Sequence, residues 1–431
     1  MFFLPSLLLG LLSALVAVGF RGCLSAGESL RSSWVNQLKP YGATGFCFTF
    51  AGVFALIGLA AWLVRRFCPE ASGSGIPHLK GVVSGYRHIK PVRLLTKFSS
   101  GCIGISAGMA LGREGPTVQM GGALGALMAK LWGFENDKSL RQTLISAGSA
   151  AGLSGAFNAP LSGLTFIIEE LGITGPVAFF STALACLVAD IVCRSIMGQL
   201  PLLEVDLPNP PNIATLPSFL LIGIFCGFAG IAFNRLLLVC SAVAGRLRAA
   251  ARYGFLLLMA LALAWFAWRA PNLAGTGQQL LDETLRVNGR VAWGIPILLM
   301  LARLLLTLGS YSTGSAGGIF SPILILGALT GIGVTSSVEG PWIGELPSNG
   351  AAALVGMSAL FASVARAPLT AIILTIEMTG AYSIIIPLFI STFVASFIAD
   401  ALNELPIYEA LLERDLNQER DRSPIADGQT R

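Results

Sequence analysis

The stretch that decides the fold is MALGREGPTVQMGGALG, residues 109–125, an apolar, glycine-rich run interrupted by Arg113 and Glu114 side by side. A charge inside a hydrophobic stretch is costly unless it is paired, faces a cavity or serves a function. The whole chain is similarly apolar: 54% of its 431 residues are hydrophobic and only 12% are charged. Soluble domains carry roughly 25% charged residues. We therefore predict an all-α polytopic membrane protein.

Apolar segments long enough to cross a bilayer recur along the chain. We predict spans near 3–20, 43–64, 177–199, 216–245, 254–268, 291–308, 350–376 and 384–402. Four other segments are too rich in glycine and proline for simple spanning helices: 72–78, 112–125, 154–163 and 312–331. Broken backbone at membrane depth is tolerated only where protein or a water-filled cavity covers it. The breaks therefore indicate a transporter.

The distribution of charge predicts the topology. Residues 65–97 contain seven Lys or Arg and one acid, and a second basic group lies within 235–252. The positive-inside rule places both segments in the cytoplasm. The segments 204–212 and 338–345 contain acids and no Lys or Arg, so we expect them to face outward. Because the basic residues flank membrane spans, we expect no nucleic-acid partner.

The reactive side chains argue against an enzyme. The eight cysteines form no CxxC pair and lie mostly in apolar runs, and both histidines, His78 and His88, lie in one basic loop. We therefore expect no metal, no disulfide and no cofactor. An intramembrane enzyme needs a nucleophile with a base or a metal cluster, and neither arrangement occurs. A receptor or scaffold is disfavoured because helix breaks cost stability unless they line a cavity.

The second half of the chain repeats the first. The pattern P-x4-G-x3-G begins at Pro116 and recurs at Pro322, 206 residues later. Each copy is followed by Ala-Pro-Leu, with prolines at 160 and 368, and then by an acid at equal spacing, Glu169 or Glu377. Duplicated membrane domains, often inverted, place the substrate site at the repeat interface near the midplane. We predict two inverted repeats, about 1–200 and 213–402, that form one transport domain (1–402).

Three breaks share one design. In GSGIP (73–77), GREGP (112–116) and GGIFSP (317–322), glycines precede a proline that opens an apolar helix. Proline suits the first helical turn, and glycine allows the preceding backbone to turn sharply. Helix N-termini carry unpaired N–H groups and a partial positive charge of about half a unit. Several that converge form an anion site without a buried cation. We predict an inorganic anion as substrate.

These motifs, with FNAPLSGLTFIIEE (157–170) between them and Tyr408 after them, resemble the CLC family of chloride channels and chloride/proton exchangers, and the bacterial exchangers in particular. The resemblance extends from about residue 5 to 414. It implies a chloride site formed by the hydroxyls of Ser74 and Tyr408 and the backbone N–H groups of Ile319 and Phe320. On spacing alone, Ser74 also fits a helix N-cap and Tyr408 an interfacial tyrosine.

The resemblance also implies which residues support the helix N-termini around that site. Gly318 contributes backbone to the anion site itself. The supporting residues are Gly73, Gly75, Pro77, Gly112, Arg113, Gly115, Pro116, Gly317 and Pro322.

Two glutamates carry the implied proton chemistry. Glu114 resembles the gating glutamate, which occupies an anion position as a carboxylate and swings away when protonated. An ion pair with Arg113 is a poor alternative, because adjacent helix residues point in different directions. Glu170 matches the internal proton acceptor of the exchangers, a position that is commonly apolar in the channels. We therefore predict a chloride/proton antiporter, with a CLC-type passive voltage- or pH-gated channel as the alternative.

The remaining expectations concern assembly and location. The resemblance implies a homodimer with one pathway per subunit, in a bacterial inner membrane and in contact with lipid. We expect a cytoplasmic C-terminus, because residues 403–431 form a polar tail after the pore-lining Tyr408, too short for a regulatory domain. Glu377 is expected to be a buried structural acid. His78 is a departure from the family, whose members often have an acid there.

Overall fold

The computed structural model describes residues 3–422 apart from 90–91, 173–174, 200, 204, 206–210, 287–290 and 339–345. The predicted outer loops, 204–212 and 338–345, fall mostly outside the described residues. The described chain is almost entirely helical. Its α-helices are α1 (Phe3–Leu38), α2 (Gly42–Phe67), α3 (Ile76–Val83), α4 (Val92–Ser106), α5 (Glu114–Leu131), α6 (Lys138–Phe157), α7 (Pro160–Leu171), α8 (Pro176–Met197), α9 (Leu216–Arg246), α10 (Ala249–Arg269), α11 (Gln278–Leu285), α12 (Gly294–Ser312), α13 (Phe320–Ser337), α14 (Asn349–Ala365), α15 (Pro368–Thr379), α16 (Ile385–Ala401) and α17 (Ile407–Arg422).

Short 3-10 turns connect some of these helices, at Lys39–Tyr41, Pro69–Ala71, Ile213–Thr215, Pro271–Leu273 and Tyr382–Ile384. Among the described residues, seven segments are long and apolar enough to cross a membrane, the first of which joins α1 and α2. Their outward faces are apolar, as shown by the exposed side chains of Leu15, Phe225, Leu258 and Leu305. Such faces suit contact with lipid. The chain is an integral, multi-pass membrane protein.

Two of the predicted spans are wrong in their limits. The first extends to Leu38 rather than ending near residue 20, because no helix breaker follows. The segment 350–376 is not one span but two helices, α14 and α15. Arg366 takes a left-handed conformation with φ 60°, and Pro368 begins the next helix. The chain turns there because proline has no N–H to continue a helix.

The predicted repeat appears as matched helices with matched contacts. Helices α5 and α13 each contain 18 residues, and α7 and α15 each contain 12. A Cβ added to Gly121 would lie 2.0 Å from the carbonyl oxygen of Gly148, and one added to Gly327 would lie 2.4 Å from that of Gly356. The glycine spacing therefore brings α5 against α6 and α13 against α14 at backbone contact.

Each half also supplies an acid that caps a helix of the other half. The Glu377 carboxylate accepts hydrogen bonds from the N–H groups of Leu161 (2.9 Å) and Ser162 (2.8 Å), at the start of α7. The Glu169 carboxylate accepts from those of Leu369 (3.0 Å) and Thr370 (2.7 Å), at the start of α15. A carboxylate is favourable at a helix N-terminus. The structural role predicted for Glu377 is confirmed, and Glu169 has the same role.

Candidate anion site

The glycine breaks that precede α3, α5 and α13 are joined through their backbones. Gly73 donates its N–H to the carbonyl of Ser315 (3.0 Å) and accepts from Gly317 (3.0 Å). Gly112 and Gly318 exchange two hydrogen bonds, of 2.7 and 2.8 Å. The three helices therefore begin at one place in the interior, to which both halves of the chain contribute.

The first turns of these helices have N–H groups that no cap residue uses. Proline lies within the first three residues of each helix, as Pro77, Pro116 and Pro322. The N-cap residues make no side-chain cap hydrogen bond: Gly75 for α3, Arg113 for α5 and Ile319 for α13. Converging N–H groups and helix dipoles contribute a positive potential to this region.

The hydroxyls of Ser74 and Tyr408 are candidate donors to an anion. Both residues are fully buried, and neither hydroxyl is hydrogen-bonded to another described residue. A serine or tyrosine hydroxyl in this state can donate to a bound anion. The N-cap alternative for Ser74 is wrong, because Gly75 is the N-cap of α3 and receives no side-chain cap.

Glycine at 115 keeps the space beside Ser74 open. A Cβ at Gly115 would lie 2.5 Å from the Ser74 Oγ and 3.1 Å from the Cα of Gly318. Both distances are below normal contact. The sequence-predicted residues Ser74, Gly115 and Gly318 are therefore brought into direct proximity.

Glu114 is folded onto the N-terminus of α13. Its side chain is 1% exposed, and its carboxylate accepts hydrogen bonds from the Ser321 hydroxyl (2.6 Å) and the Ser321 N–H (3.3 Å). A carboxylate thus occupies a place where helix N–H groups favour an anion. Arg113 does contact Glu114, contrary to our expectation. The Arg113 Nε lies 3.7 Å from the Glu114 Oε1, because Arg113 precedes the helix as its N-cap.

An aromatic cluster fixes the start of α13. The Phe320 ring packs against those of Phe157, Phe166 and Phe361, at centroid distances of 5.1, 6.1 and 4.3 Å. The rings come from α6, α7 and α14, so both halves hold this N-terminus in place. Dense packing of this kind leaves the backbone N–H groups of Ile319 and Phe320 in a defined position.

Lys97 is a buried cation that contacts the start of the GSGIP loop (73–77), although we expected an anion site without a buried cation. Lys97 is fully buried, and its ammonium donates to the carbonyls of Ala71 (3.0 Å) and Gly73 (2.5 Å). These bonds hold the backbone immediately before Ser74. The ammonium is thereby satisfied by carbonyl oxygens, so the loop gains rigidity from it.

Glu170 contacts α3 through an ion pair with Lys80. Its side chain is 2% exposed, and its Oε1 lies 3.1 Å from the Lys80 Nζ. The adjacent Glu169 points to α15 instead, so the two carboxylates do not compete for one partner. Ion pairing by Lys80 was not predicted, because Lys80 was assigned only to a basic loop.

A cavity of about 380 Å³ lies beside the GSGIP loop, and its lining includes Gly73 and Gly75, on either side of Ser74. Charged residues of both signs contribute to the lining: Arg65, Arg87, Arg252, Arg414, Glu70, Asp415 and Glu419. Arg87 pairs with Glu419 and Arg414 with Asp415, so the lining carries both charges close together.

Sequence comparisons now bear on this site. Residues 57–400 match the family model described as the voltage gated chloride channel. The chain belongs to this CLC family. A CLC relative in Vibrio cholerae, named H(+)/Cl(-) exchange transporter ClcA, is 37% identical over 96% of this chain and 90% of its own length. The one in Cronobacter sakazakii, with the same name, is 35% identical over 98% of this chain and 91% of its own.

Solved CLC structures have the same fold. A structure described as a slow cyanobacterial Cl-/H+ antiporter superposes with a TM-score of 0.91 at 32% identity, covering 97% of this chain and 99% of that one. A eukaryotic CLC transporter superposes with a TM-score of 0.82 at 23% identity, over 96% of this chain and 74% of that one. The predicted family and the predicted helical fold are confirmed.

His78, which the resemblance to the CLC family marks as a departure, is part of a buried cluster. Its Nδ1 lies 3.1 Å from a guanidinium nitrogen of Arg93, and Arg93 also pairs with Glu70. The imidazole is 4% exposed. His78 also contributes to the wall of the cavity, together with Gly73 and Gly75.

Proposed function

We propose that this chain is a proton-coupled chloride antiporter. The observation that carries the proposal is the Glu114 carboxylate, which is held by the N-terminus of α13 where an anion would be favoured. A carboxylate that competes with the transported anion links proton binding to anion binding. The exchanger names of the relatives in Vibrio and Cronobacter support the same activity.

In this proposal, chloride binds between helix N-termini and neutral donors. The unpaired hydroxyls of Ser74 and Tyr408 donate to it from one side. The backbone N–H groups of Ile319 and Phe320 donate from α13, and Gly318 allows close approach. Neutral donors hold a halide less tightly than a fixed ammonium does, which suits rapid exchange.

Glu114 and Glu170 divide the proton chemistry between them. Glu114 is the gate and the outer proton acceptor: its protonated form leaves the anion position and admits chloride. Glu170 is the inner acceptor, since it is a buried carboxylate close to the aqueous side of α3 and α17. Arg113, whose Nε lies 3.7 Å from the Glu114 Oε1, adds a positive charge beside the gate.

The passive channel is the competing function, with the same anion site and uncoupled flux. Purified protein in liposomes distinguishes them when chloride and proton movements are recorded together under a proton gradient. We expect protons to move against their gradient when chloride drives exchange. Chloride flux without proton movement in the wild type would exclude the antiporter.

Two variants test the assigned roles. Glu114→Gln imitates the protonated gate, so we expect chloride flux to persist and proton coupling to be lost. Glu170→Gln should abolish proton movement and leave chloride flux in place. Tight coupling retained in either variant would remove that residue from its role.

The location and assembly proposed for this antiporter rest on charge and on exposed apolar surface. A bacterial inner membrane with a cytoplasmic C-terminus agrees with the positive-inside rule, since the basic segment 65–97 contacts α17 through Lys80 and Arg87. Exposed aromatic side chains on α8 and α16, such as Phe180 and Phe397, suit a homodimer interface. Single-molecule photobleaching in liposomes measures the stoichiometry, and single-step bleaching throughout would contradict a dimer.

A further inference from the structure

One lysine lies between two carboxylates of different exposure. The Lys80 Nζ is 3.1 Å from the Glu170 Oε1 and 3.5 Å from the Glu409 Oε2. The side chain of Glu170 is 2% exposed, that of Lys80 22% and that of Glu409 44%. The three residues come from α7, α3 and α17 in turn. A single ammonium therefore has one buried partner and one partner in contact with water.

These distances allow Lys80 to favour either carboxylate. A lysine ammonium is a compact charge on a flexible four-carbon stem, so a displacement of a few tenths of an ångström changes which partner it contacts more closely. The shorter distance, to Glu170, places the ammonium on the buried side in this structure. Next to Lys80, Gly81 of α3 faces Leu412 of α17: a Cβ added there would lie 3.0 Å from the Leu412 Cδ1. Because the distances from Lys80 to its two carboxylates are so similar, the lysine stem can change partner without displacement of either helix.

Whether Glu170 is ionised depends on which carboxylate Lys80 contacts, because none of the other titratable groups that face Glu170 is a cation. Burial disfavours the carboxylate form, and a cation within about 4–6 Å favours it. The other titratable groups that face Glu170 are Glu409 and Tyr408 on α17 and Glu169 on its own helix. Glu169 is bound by amides of α15, and none of these groups carries a positive charge. Lys80 is therefore the cation that decides the protonation of Glu170 among the described residues around it.

We propose that Lys80 is a two-position switch that controls proton entry to Glu170: paired with Glu170 it keeps that carboxylate ionised, and paired with Glu409 it leaves Glu170 to take up a proton. This inference rests on the proposed role of Glu170 as the inner proton acceptor. Glu409 draws the ammonium outward only while Glu409 is ionised. Lys80 and Glu409 are positioning residues, since they act through Glu170.

A static ion pair makes a different prediction from the switch. A fixed ion pair also raises the protonation midpoint of Glu170 when Lys80 is removed and lowers it when the Glu409 charge is removed, because Glu409 repels the Glu170 carboxylate directly. These two effects then add in the double variant Lys80→Met/Glu409→Gln. The switch requires instead that Glu409→Gln changes the midpoint little once Lys80 is absent. Removing Lys80 takes away the favourable charge, whereas removing the Glu409 charge leaves Lys80 with Glu170 as its single carboxylate.

The test measures the protonation midpoint of Glu170 directly. Infrared difference spectroscopy of purified protein across pH follows the protonated carboxyl band, and Glu170→Gln identifies which band belongs to Glu170. We expect Lys80→Met to raise the midpoint by about 1–3 pH units. Glu409→Gln should lower it by about half a pH unit, because that partner is half-exposed.

Two further variants complete the test. Lys80→Arg retains the charge and should keep the midpoint near the wild-type value. The double variant Lys80→Met/Glu409→Gln should match Lys80→Met alone, because Glu409 acts through the lysine. If Lys80→Met does not purify as a monodisperse protein, Lys80→Gln replaces it, because this variant also removes the lysine charge. In liposomes, the dependence of proton-coupled flux on inner-side pH should shift with the midpoint.

An unchanged midpoint in Lys80→Met would overturn the switch, and so would a double variant whose midpoint lies below that of Lys80→Met by as much as Glu409→Gln lowers the wild-type midpoint. Failure of the antiporter proposal gives a different result. In that case the wild type moves chloride without protons, while the midpoints of Glu170 still report whether Lys80 sets its protonation.

Discussion

Ser321 offers the sharpest test of how the gate is held. Its hydroxyl lies 2.6 Å from one oxygen of the Glu114 carboxylate, and its N–H lies 3.3 Å from the other. Ser321→Ala removes the shorter bond and leaves the backbone donor in place. If the carboxylate competes with chloride, weakening its hold should strengthen chloride binding.

The size of the effect follows from the type of bond that is lost. Hydrogen bonds to a charged group contribute about 1.5–3 kcal/mol. Ser321 is only partly buried, so water replaces some of that energy and the lower value applies. A change of about 1.4 kcal/mol is tenfold in an equilibrium constant. We therefore expect the apparent chloride Kd to fall by up to about tenfold.

Isothermal titration of chloride into purified protein in chloride-free buffer measures this Kd. Ser321→Thr keeps the hydroxyl and is the matched control, with an expected Kd close to that of the wild type. The variant is also made together with Glu114→Gln. There the competing carboxylate is absent, so Ser321→Ala should change the Kd little.

Two results would refute this reasoning. One is an unchanged Kd in Ser321→Ala. The other is an equal fall in Kd with and without the Glu114 carboxylate, which would mean that Ser321 acts on chloride by itself. Comparing the effect of Ser321→Ala on the chloride Kd with and without the Glu114 carboxylate measures the coupling energy between Ser321 and Glu114, as in a double-mutant cycle.

Two more predictions concern space and stability. Gly115→Ala would place a Cβ 2.5 Å from the Ser74 Oγ, so we expect chloride affinity and flux to fall by about tenfold or more. Gly58→Ala in α2, where a Cβ would meet nothing within 4 Å, is its control, and equal flux in both variants would contradict the argument. Glu377→Gln removes the charge that caps α7, so we expect about 1–2 kcal/mol of lost stability, measured as a lower unfolding temperature. The exposed Glu135→Gln should change that temperature little, and an identical Tm for both glutamine variants would show that the cap contributes nothing.

The sequence predicted those structural features that depend on residues close together along the chain. The glycine and proline breaks at 73–77, 112–116 and 317–322 fix where helices begin, and the structure brings them together. The equal spacing from each Ala-Pro-Leu to its acid predicted that Glu377 is structural. Periodicity and turn chemistry act over a few residues, so a single sequence reveals them.

The missed features are contacts between distant positions. Ser321 was part of a quoted motif, yet its bond to Glu114 depends on how α5 meets α13. Lys97 and Lys80 looked like members of a cytoplasmic basic loop, because charge counting records sign and not burial. The break before Pro368 was overlooked because hydropathy across 350–376 remains high, although the same Ala-Pro-Leu had marked a break near 160. Applying the repeat to that position would have found it.

The backbone bonds between Gly73, Gly112 and the segment 315–318 have a consequence for biogenesis. A ribosome delivers the first half of the chain to the membrane before Gly318 exists, so the N–H of Gly73 and both backbone groups of Gly112 then lack the partners that they have in the folded protein. Unsatisfied backbone groups in the bilayer each cost several kcal/mol. At that stage α7 also lacks its cap, because Glu377 lies in the second half of the chain. Insertion of this protein is therefore expected to finish only when its last helices arrive, with the early ones held at the insertion machinery until then.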